Sequence, residues 1–450
     1  MRRATELDDV KRYLSDKPLP LDQLDDYFVE TAHARDALVS HRGELSAKLD
    51  SDDNVKVLVA GDRGTGKSTE LTKFRQEYGD RFAVVVLDLL EEAVIGSVTI
   101  ESLLVLIVER LLDAVRKLGG EWDEENLRRI YHWFSETFRY DEKTRESSAK
   151  AGGGVSVDDT WWSKLVGLSG FLKLDVTTGA RVLNKTITKE NRRLGELVAN
   201  CDLLVKDARI ALMSKLHHDL LLVVENLDKV GLREAHDVFL ANPRSLTRLS
   251  CKAIFTAPTF LLHSPNAGLL RSHFERVTLP MIEVTDRDDA PNPRGRDVVV
   301  QILDRRIDLE RLCEPEAVDL AIAKTGGILA HLFEVLSLAA LAAEEAQKRG
   351  DSGRDQPRIV TSDVRYALTR LRRELVNSLT LIGLPEQFDG ITAPELKQRL
   401  VELRDEVISD ASDRLSLYLL WAQALVGYNG DGWYRLHPLI AEYVATLAET

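Results

Sequence analysis

The sequence has few cysteines and no long apolar runs. Its 450 residues include only 3 cysteines, Cys201, Cys251 and Cys313, which lie far apart in no CxxC or Cys/His pattern. Disulfide bonds and a structural zinc site are therefore not expected, and a reducing, cytoplasmic location is indicated. The longest apolar stretches, such as Leu103 to Val108, are far shorter than the roughly 20 residues of a membrane-spanning helix. No membrane role is expected.

The sequence also has no excess of positive charge. Its 60 Lys and Arg against 73 Asp and Glu give a formal net charge of −13 at pH 7. This balance argues against a whole-surface attraction to nucleic acid or anionic membrane, although it leaves room for a local basic patch. The 44% hydrophobic and 30% charged content is typical of a folded globular chain. A chain of 450 residues can form one large core or, as favoured here, two or three domains.

The strongest motif is a glycine-rich stretch between an apolar run and a helical pattern. Val55 to Ala60 is typical of a central parallel strand, and the helical pattern begins at Lys67. The string Gly61-x4-Gly66-Lys67-Ser68 matches the Walker A pattern, in which the lysine reaches the β- and γ-phosphates and the serine binds Mg²⁺. Glycines allow close backbone approach to phosphate, and a helix N-terminus favours anions. The predicted ligands are ATP and Mg²⁺.

We predict that the whole loop contacts the nucleotide. Its residues are Gly61, Asp62, Arg63, Gly64, Thr65, Gly66, Lys67, Ser68 and Thr69. The alternative is a glycine-rich turn without a ligand, which the strand before the loop and the helix after it make less favoured.

Four further apolar runs complete a predicted parallel sheet. They are Phe82 to Leu87, Leu220 to Val224, Ala253 to Thr256 and Val277 to Val284, with helical patterns between them. The predicted fold class is therefore a doubly wound α/β sheet. Ligands of such sheets bind at the carboxyl ends of the strands, so candidate catalytic residues are expected there.

Two strand ends carry such candidates. Glu225 follows five apolar residues, and an unpaired buried carboxylate is costly, so Mg²⁺ is its expected partner, with Ser68 and Asp228 as further metal ligands. The alternative for Glu225 is an exposed strand end. Thr256 could hydrogen-bond the γ-phosphate or the attacking water, or it could merely end a strand before Pro258.

The order of these motifs gives a family resemblance. Walker A, acidic strand and polar strand end follow one another as in the AAA+ ATPases. The chain resembles the branch that holds Orc/Cdc6-like and STAND-type ATPases, and the phrases "GDRGTGKSTEL", "ENLDK" and "DDYFVETAHARDAL" look like those of its bacterial stand-alone members. The resemblance implies an entry segment near the adenine (1–50), a P-loop core (51–285) with an insert at about 97–218, a helical lid (286–377) and a winged-helix-like domain (378–450).

The resemblance also assigns roles at the acidic strand. Glu225 takes the Mg²⁺-associated position, Asn226 replaces the usual catalytic glutamate, and Asp228 is the second acid of a DExD-like box. An amide cannot accept a proton, so Asn226 would orient water and Asp228 would be the candidate base. The hypothesis is slow, conditional ATP hydrolysis.

The resemblance further implies an arginine that reaches the nucleotide of a neighbouring subunit. Arg271 and Arg276, before the last core strand, are the candidates for this catalytic role, and the alternative is that both are surface arginines. Such a role needs a homo-oligomer on ATP binding. The sensor arginine of the lid is missing, because Ala330 and His331 stand near its place. A histidine on an apolar helix face is more typical of a packed core than of a sensor.

The insert and the C-terminus suggest interaction surfaces. Glu101 to Leu118 and Asn191 to Leu216 are predicted helices, and the glycine-rich stretch between them suggests a hairpin or extended arm. Trp161 and Trp162 could contact a partner or cover the protein's own core. Near the C-terminus, Asn429-Gly430-Asp431-Gly432 predicts a hairpin turn, and helices followed by a hairpin resemble a winged helix.

The charge of the C-terminal region does not favour DNA. Residues 371–450 hold 7 Lys or Arg against 12 Asp or Glu, whereas DNA-binding domains concentrate positive charge. The expected recognition helix, Ser412 to Leu425, has Arg414 as its one basic residue. A winged helix that contacts protein or inhibits the chain itself is therefore favoured.

Three functions remain open. The first is an ATP-controlled switch that acts on a separately encoded effector or sensor protein, with bacterial anti-phage or conflict defence as the expectation from the family. The second is a DNA-associated Orc/Cdc6-like or transposition-type ATPase that loads a partner on duplex DNA. The third is a module that binds a nucleotide without hydrolysing it.

Overall fold

The structure is a computed structural model of the chain. The structure describes residues 3–35, 39–92, 98–138, 163–168, 191–349, 357–379, 381, 388, 390–428 and 432–448. The predicted glycine-rich arm lies largely outside these residues, as do Trp161 and Trp162. Within them, no helix is both long enough and apolar enough to cross a bilayer.

The core is a five-stranded parallel sheet. Its strands are β1 (Lys56–Ala60), β2 (Phe82–Asp88), β3 (Asp219–Glu225), β4 (Lys252–Ala257) and β5 (Glu275–Thr278). They lie in the order β2-β3-β4-β1-β5, and every neighbouring pair is parallel. A parallel sheet is covered on both faces, which explains why its strands are near-continuous apolar runs. The predicted α/β class is confirmed.

The last strand is shorter than its apolar run. The prediction of a strand from Val277 to Val284 is wrong at its C-terminal boundary, because β5 ends at Thr278. The Leu279 N–H still donates to the Ala60 carbonyl at 2.7 Å. Pro280 follows, and a proline has no N–H with which to continue the ladder.

Helices surround the sheet. In chain order they are α1 (Val10–Tyr13), α2 (Leu24–Tyr27), α3 (His41–Leu49), α4 (Lys67–Tyr78), α5 (Leu89–Glu92), α6 (Ile100–Lys117), α7 (Glu124–Phe138), α8 (163–168), α9 (Asn191–Leu216), α10 (Leu232–His236), α11 (Pro243–Thr247), α12 (Phe260–His263), α13 (Ala267–His273), α14 (Pro293–Asp304), α15 (Leu309–Leu312), α16 (Pro315–Thr325), α17 (Leu329–Lys348), α18 (Thr361–Ser378), α19 (Ala393–Leu403), α20 (Arg414–Trp421) and α21 (Pro438–Ala448). The predicted insert helices are confirmed as α6 and α9, which pack on each other and, through α9, on α7.

The side chains of the strands alternate between the two faces of the sheet. In β1, Leu58 belongs to one hydrophobic cluster, whereas Val57 and Val59 belong to another. Successive side chains of a strand point to opposite faces, so helices must cover both sides of the sheet. The carboxyl ends of the strands remain as the edge at which polar residues gather.

Residues 286–377, called the helical segment below, contain α14 to α17 and all of α18 except its last residue, Ser378, and α17 packs on both α16 and α18. The C-terminal segment, residues 378–450, adds two antiparallel strands, β6 (Leu425–Tyr428) and β7 (Trp433–Leu436). These confirm the predicted hairpin strands, while residues 429–431 of its turn lie outside the described residues.

The predicted recognition helix is also shorter than expected. The sequence predicts a helix from Ser412 to Leu425, but α20 ends at Trp421. Gln423 has a φ of 57°, a left-handed conformation that ends a helix. Leu425 then begins β6, so this part of the prediction is wrong.

Candidate nucleotide-binding site

The loop between β1 and α4 depends on glycine. Gly64 and Gly66 have φ of 83° and 93°, a region that residues with a Cβ rarely occupy. A Cβ on Gly66 would meet no described atom within 4 Å, so a ligand could approach the backbone there. The first N–H groups of α4, which starts at Lys67, have no partners within the helix. This is the arrangement of a P-loop.

The Lys67 side chain is folded against its own loop. Its Nζ donates to the carbonyl oxygens of Gly61 at 2.7 Å and Asp62 at 2.9 Å. The same nitrogen forms a 2.9 Å ion pair with Asp228 Oδ2, and both side chains are buried. The lysine is thus held beside the loop by oxygens that phosphate oxygens could replace.

Glu225, at the end of β3, lies next to Ser68 in the first turn of α4. Burial raises the pKa of Glu225 to about 7, even though a hydrogen bond from the Ser68 hydroxyl and the charge of Arg75 both act to lower it. The nearest Arg75 nitrogen is 3.9 Å from Oε1. A buried carboxylate in this environment favours an additional cation.

The pair formed by Ser68 and Glu225 fits Mg²⁺. A hydroxyl and a carboxylate are hard oxygen ligands, and Mg²⁺ usually takes one or two protein ligands together with phosphate and water oxygens. No cluster of three or more His, Cys, Asp or Glu side chains suited to a metal occurs in the described chain. A Mg²⁺ ion held by these two side chains would take its remaining ligands from a nucleotide and water.

Asp228 lies beside Lys67 and not beside Ser68. Burial alone would raise the pKa of Asp228, but the Lys67 ammonium lowers it below its ordinary value. Thr256, at the end of β4, contributes to this lowering, although its buried Oγ1 completes a hydrogen bond with none of the described residues. The predicted metal ligands are thus divided between two places: Ser68 lies with Glu225, whereas Asp228 lies with Lys67.

Asn226 turns toward the neighbouring strand. Its φ is 67°, in the left-handed region that asparagine tolerates better than most residues. Its Nδ2 donates to Asp88 Oδ1 at 2.6 Å, and Asp88 lies beside Glu225 in the register of β2 and β3. Asp88 is a site residue that sequence reasoning missed. The available signal was an acidic residue directly after the apolar run Phe82 to Leu87.

Two residues of the loop contact the C-terminal segment. The Gly427 N–H of β6 donates to Asp62 Oδ2 at 3.2 Å, and Gln423 Nε2 lies 3.4 Å from the Arg63 carbonyl oxygen. Asp62 is partly buried, and the loss of solvent around its carboxylate raises its pKa above the ordinary value. The C-terminal segment therefore rests directly on the P-loop.

Two other residues of the loop contact the N-terminal region. The Thr65 carbonyl accepts a 2.7 Å hydrogen bond from Arg35 Nη2, and Thr69 Oγ1 accepts one from the Leu19 N–H at 3.3 Å. Arg35 is almost fully buried, and sequence reasoning missed it as well. The predicted entry segment thus supports the loop through direct hydrogen bonds.

A cavity of about 100 Å³ lies between the loop, the entry segment and the helical segment. Residues from all three line it, among them Tyr27, Val29, Gly66, Ile302, Arg306 and Phe333. Ligand pockets usually measure roughly 300–1,000 Å³. A nucleotide therefore fits here only if the surrounding segments separate.

The helical segment meets the loop through Ala330, and Arg306 lines the cavity beside the loop. A Cβ on Gly64 would lie 2.9 Å from the Cβ of Ala330, so the alanine packs directly against the loop. Arg306, which sequence reasoning missed, is buried over the rings of Tyr27 and Phe333 at 5.8 and 5.3 Å. Burial lowers the pKa of Arg306 to about 10, and no carboxylate of the described chain opposes that shift.

His331 is a packed residue. It is buried, and its Nδ1 lies 3.2 Å from Nε2 of the fully buried His437. Burial lowers the pKa of His331 to about 4 and that of His437 well below its ordinary value. The pair joins α17 to the residue before α21.

Arg271 and Arg276 line a separate cleft. It has a volume of about 980 Å³ and also exposes Lys48, Asp62 and Tyr434. Burial lowers the pKa of Arg276 below its ordinary value, and the neighbouring Arg271 charge acts in the same direction. The cleft also borders Gly61 and Asp62 of the P-loop, but neither arginine hydrogen-bonds to the loop within the described chain.

No family model matches the chain, and no curated protein matches it. Among solved structures it is similar to a Walker-type ATPase of Pyrococcus abyssi, at 14% identity and a TM-score of 0.38, over 96% of this chain and 99% of that one. It is also similar to Cdc6p from Pyrobaculum aerophilum, at 13% identity and a TM-score of 0.37, over 97% and 98% of the two chains.

Proposed function

We propose that this chain is a Mg²⁺-dependent AAA+ ATPase that works as a nucleotide-controlled switch on a partner protein. One observation carries the proposal. The two side chains that a P-loop uses for nucleotide, Lys67 and Ser68, are each held by a different carboxylate at the end of β3, Asp228 and Glu225. Phosphates and a metal ion would satisfy both pairs at once.

Each residue then has a definite task. Lys67 would exchange the loop carbonyls and Asp228 for the phosphates, and Ser68 and Glu225 would hold the metal ion. Mg²⁺, when bound, neutralises charge on the phosphate oxygens. The buried Thr256 hydroxyl, which lacks a complete hydrogen bond within the described chain, contacts the γ-phosphate or the attacking water.

The switch follows from what surrounds the loop. The C-terminal segment contacts Asp62 and Arg63, and Ala330 of the helical segment lies against Gly64. The cavity of about 100 Å³ is too small for ATP, so binding must move at least one of these segments. A partner protein can recognise that movement. In this proposal the helical segment acts as the lid and the C-terminal segment as a winged-helix-like output domain.

We assign Arg306 to nucleotide recognition from the lid side. It is a buried cation without a described carboxylate partner, and it shares the cavity with the P-loop residues Gly64 to Gly66. Its Nη1 donates to the carbonyl oxygens of Tyr27 and Ile302, and a ribose hydroxyl, a base acceptor atom or a phosphate would accept from its remaining N–H groups. Arg306 would thereby replace the sensor arginine that is missing at Ala330.

Nucleotide binding and phosphate release by purified protein test the proposal. Wild type is expected to bind ATP and release phosphate slowly, Lys67→Ala is expected to lose both activities, and Asp228→Asn is expected to keep binding with altered turnover. The exposed Lys397→Ala serves as the matched control. Phosphate release that neither site substitution changes would come from a contaminant and would remove the ATPase proposal.

Two other outcomes remain distinguishable. ATP binding without any turnover would favour a nucleotide-binding module. Retention of duplex DNA in a gel shift at low salt, lost at high salt, would favour the DNA-loading alternative, which the acidic balance of residues 371–450 does not support. We place the switch in bacterial anti-phage defence on the family resemblance, and a phage plating assay with Lys67→Ala tests that setting.

A further inference from the structure

We propose that Asp88, at the end of β2, is the base that accepts the proton of the attacking water, with Asn226 as the residue that positions it. This inference rests on the proposed ATPase function and goes beyond it. It assigns catalysis to a strand on which the sequence motifs place no catalytic residue. The hydrogen bond of 2.6 Å between Asn226 Nδ2 and Asp88 Oδ1 is the observation that carries it.

The other carboxylates of the site are already engaged. Asp228 forms a buried ion pair with Lys67, and Glu225 accepts a hydrogen bond from Ser68 where the metal ion would bind. The residue next to Glu225 is the amide Asn226, which has no basic lone pair on nitrogen and cannot take a proton at neutral pH. Asp88 is thus the acidic side chain at this edge that pairs with neither the lysine nor the serine.

The sheet brings Asp88 to the right edge. Asp88 is the last residue of β2 and lies beside Glu225, the last residue of β3, in the parallel register. Asn226 then leaves the strand with a φ of 67°, which points its amide back toward β2. Carboxyl ends of parallel strands form the ligand edge of such sheets, so Asp88 shares that edge with Glu225 and Thr256.

The hydrogen bonds of Asp88 leave one oxygen available. Oδ1 accepts from Asn226 Nδ2 at 2.6 Å and from the Leu90 N–H at 2.9 Å, whereas no donor of the described chain contacts Oδ2. Two fixed donors on one oxygen hold the carboxylate in one orientation. The side chain is only partly buried, so water can reach the second oxygen.

The step balances as ordinary ATP hydrolysis. The water oxygen forms a bond to the γ-phosphorus while the bond from that phosphorus to the β,γ-bridging oxygen breaks, and its electron pair stays on ADP. The proton released by the water goes to Asp88 Oδ2 and then passes to phosphate or solvent. Asn226 keeps its proton throughout and acts only through Asp88.

An exchange of the two side chains tests the assignment. Single-turnover hydrolysis, with protein in excess over ATP, is measured together with ATP affinity for wild type, Asp88→Asn and the double variant Asp88→Asn/Asn226→Asp. A general base contributes about 10²–10⁴-fold to the rate. We therefore expect Asp88→Asn to lose about 100-fold in rate and to keep its ATP affinity.

The double variant restores a carboxylate and an amide in reversed positions. Aspartate tolerates the left-handed backbone of position 226 as asparagine does, so we expect at least a tenfold recovery over Asp88→Asn. Asp80→Asn, an exposed aspartate just before the other end of β2, is the matched control and should match wild type. A purely structural role for Asp88 would lower thermal stability in the single variant without a recovery of rate in the double variant.

The outcomes separate this inference from the proposed function. Wild-type-like turnover in Asp88→Asn, or no recovery in the double variant, overturns the role of Asp88 while the ATPase assignment stands. ATP binding by wild type without any turnover overturns the role of Asp88 and leaves a nucleotide-binding switch. Failure of wild type to bind ATP at all overturns the proposed function itself.

Discussion

Lys67 connects nucleotide binding with stability because it is one half of a buried ion pair. We expect Lys67→Ala to abolish ATP binding and also to destabilise the protein by about 3–5 kcal/mol, since Asp228 would be left buried without its partner. The double variant Lys67→Ala/Asp228→Asn should regain most of the lost stability and still fail to bind ATP. Denaturant unfolding and isothermal calorimetry measure the two effects. A double variant as unstable as the single one would contradict the ion pair of 2.9 Å.

Arg306 gives a second test at the scale of one side chain. We expect Arg306→Ala to weaken ATP binding by at least tenfold, about 1.4 kcal/mol, because a nucleotide would lose its contact with the helical segment. Arg305→Ala, at the adjacent and less buried arginine, is the control. Affinity for tripolyphosphate shows which part of the ligand is bound: an unchanged value assigns Arg306 to the nucleoside, and a parallel loss assigns it to phosphate. Unchanged ATP affinity would rule out the contact.

At the scale of elements, the contact between His331 and His437 predicts acid sensitivity. The fold lowers both pKa values, to about 4 for His331, while unfolded histidine titrates near 6.5. Both therefore favour the neutral form in the folded state. Their contribution to stability is fully present above about pH 6.5 and is lost as the pH falls toward 4.

The loss for His331 is on the order of 3 kcal/mol, at about 1.4 kcal/mol per pKa unit. Urea unfolding at a series of pH values measures it. His331→Leu should reduce the slope of stability against pH in this range by about one proton, and the exposed His218→Leu should not. An identical slope in wild type and His331→Leu would mean that the buried pair does not govern acid stability.

The hairpin formed by β6 and β7 offers a second prediction for an interface between elements. Tyr428 donates from its hydroxyl to the Gly326 carbonyl at 2.8 Å, next to the contacts that β6 makes with the loop. We expect Tyr428→Phe to cost about 1 kcal/mol of stability and to accelerate ATP association, because the C-terminal segment would leave the P-loop more easily. Stopped-flow association and thermal unfolding measure the effects, with the exposed Tyr366→Phe as control. Slower association would show that the hairpin helps to form the site.

At the scale of the whole molecule, the expected assembly depends on ATP. Arg271 is exposed and Arg276 is partly buried at a cleft that borders the loop at Gly61 and Asp62, and we propose that they contact a neighbouring subunit. We expect mass photometry to detect larger species with ATP than without it. Arg271→Ala or Arg276→Ala should retain ATP binding and lose turnover, whereas the exposed Arg287→Ala should not.

Mixing two inactive variants separates action between subunits from action within one. The Lys67→Ala variant keeps both arginines but lacks a working P-loop. The Arg271→Ala variant keeps a working P-loop but lacks one of the arginines. A mixture of them should recover part of the turnover if the arginine acts across an interface. A strict monomer with and without ATP would remove this role for both arginines.

Much of the site could be predicted from the sequence because its signals are local. The phosphate loop is one contiguous string of residues, so its glycines and lysine can be recognised without knowledge of distant contacts. The strand ends were also predictable, since five apolar runs mark five strands. Two boundaries were wrong for local reasons of their own, Pro280 after β5 and the left-handed Gln423 after α20.

The sequence alone determined that this is an α/β protein with a P-loop, because apolar periodicity and a contiguous motif require no knowledge of distant contacts. Only the tertiary structure decided how the acids are distributed. Strand order places Asp88 beside Asn226, which is 138 positions away in the chain. Tertiary packing pairs Asp228 with Lys67 and Glu225 with Ser68. A carboxylate's partner depends on which strand lies next to it, and the order of strands in a sheet is not the order of strands in the chain.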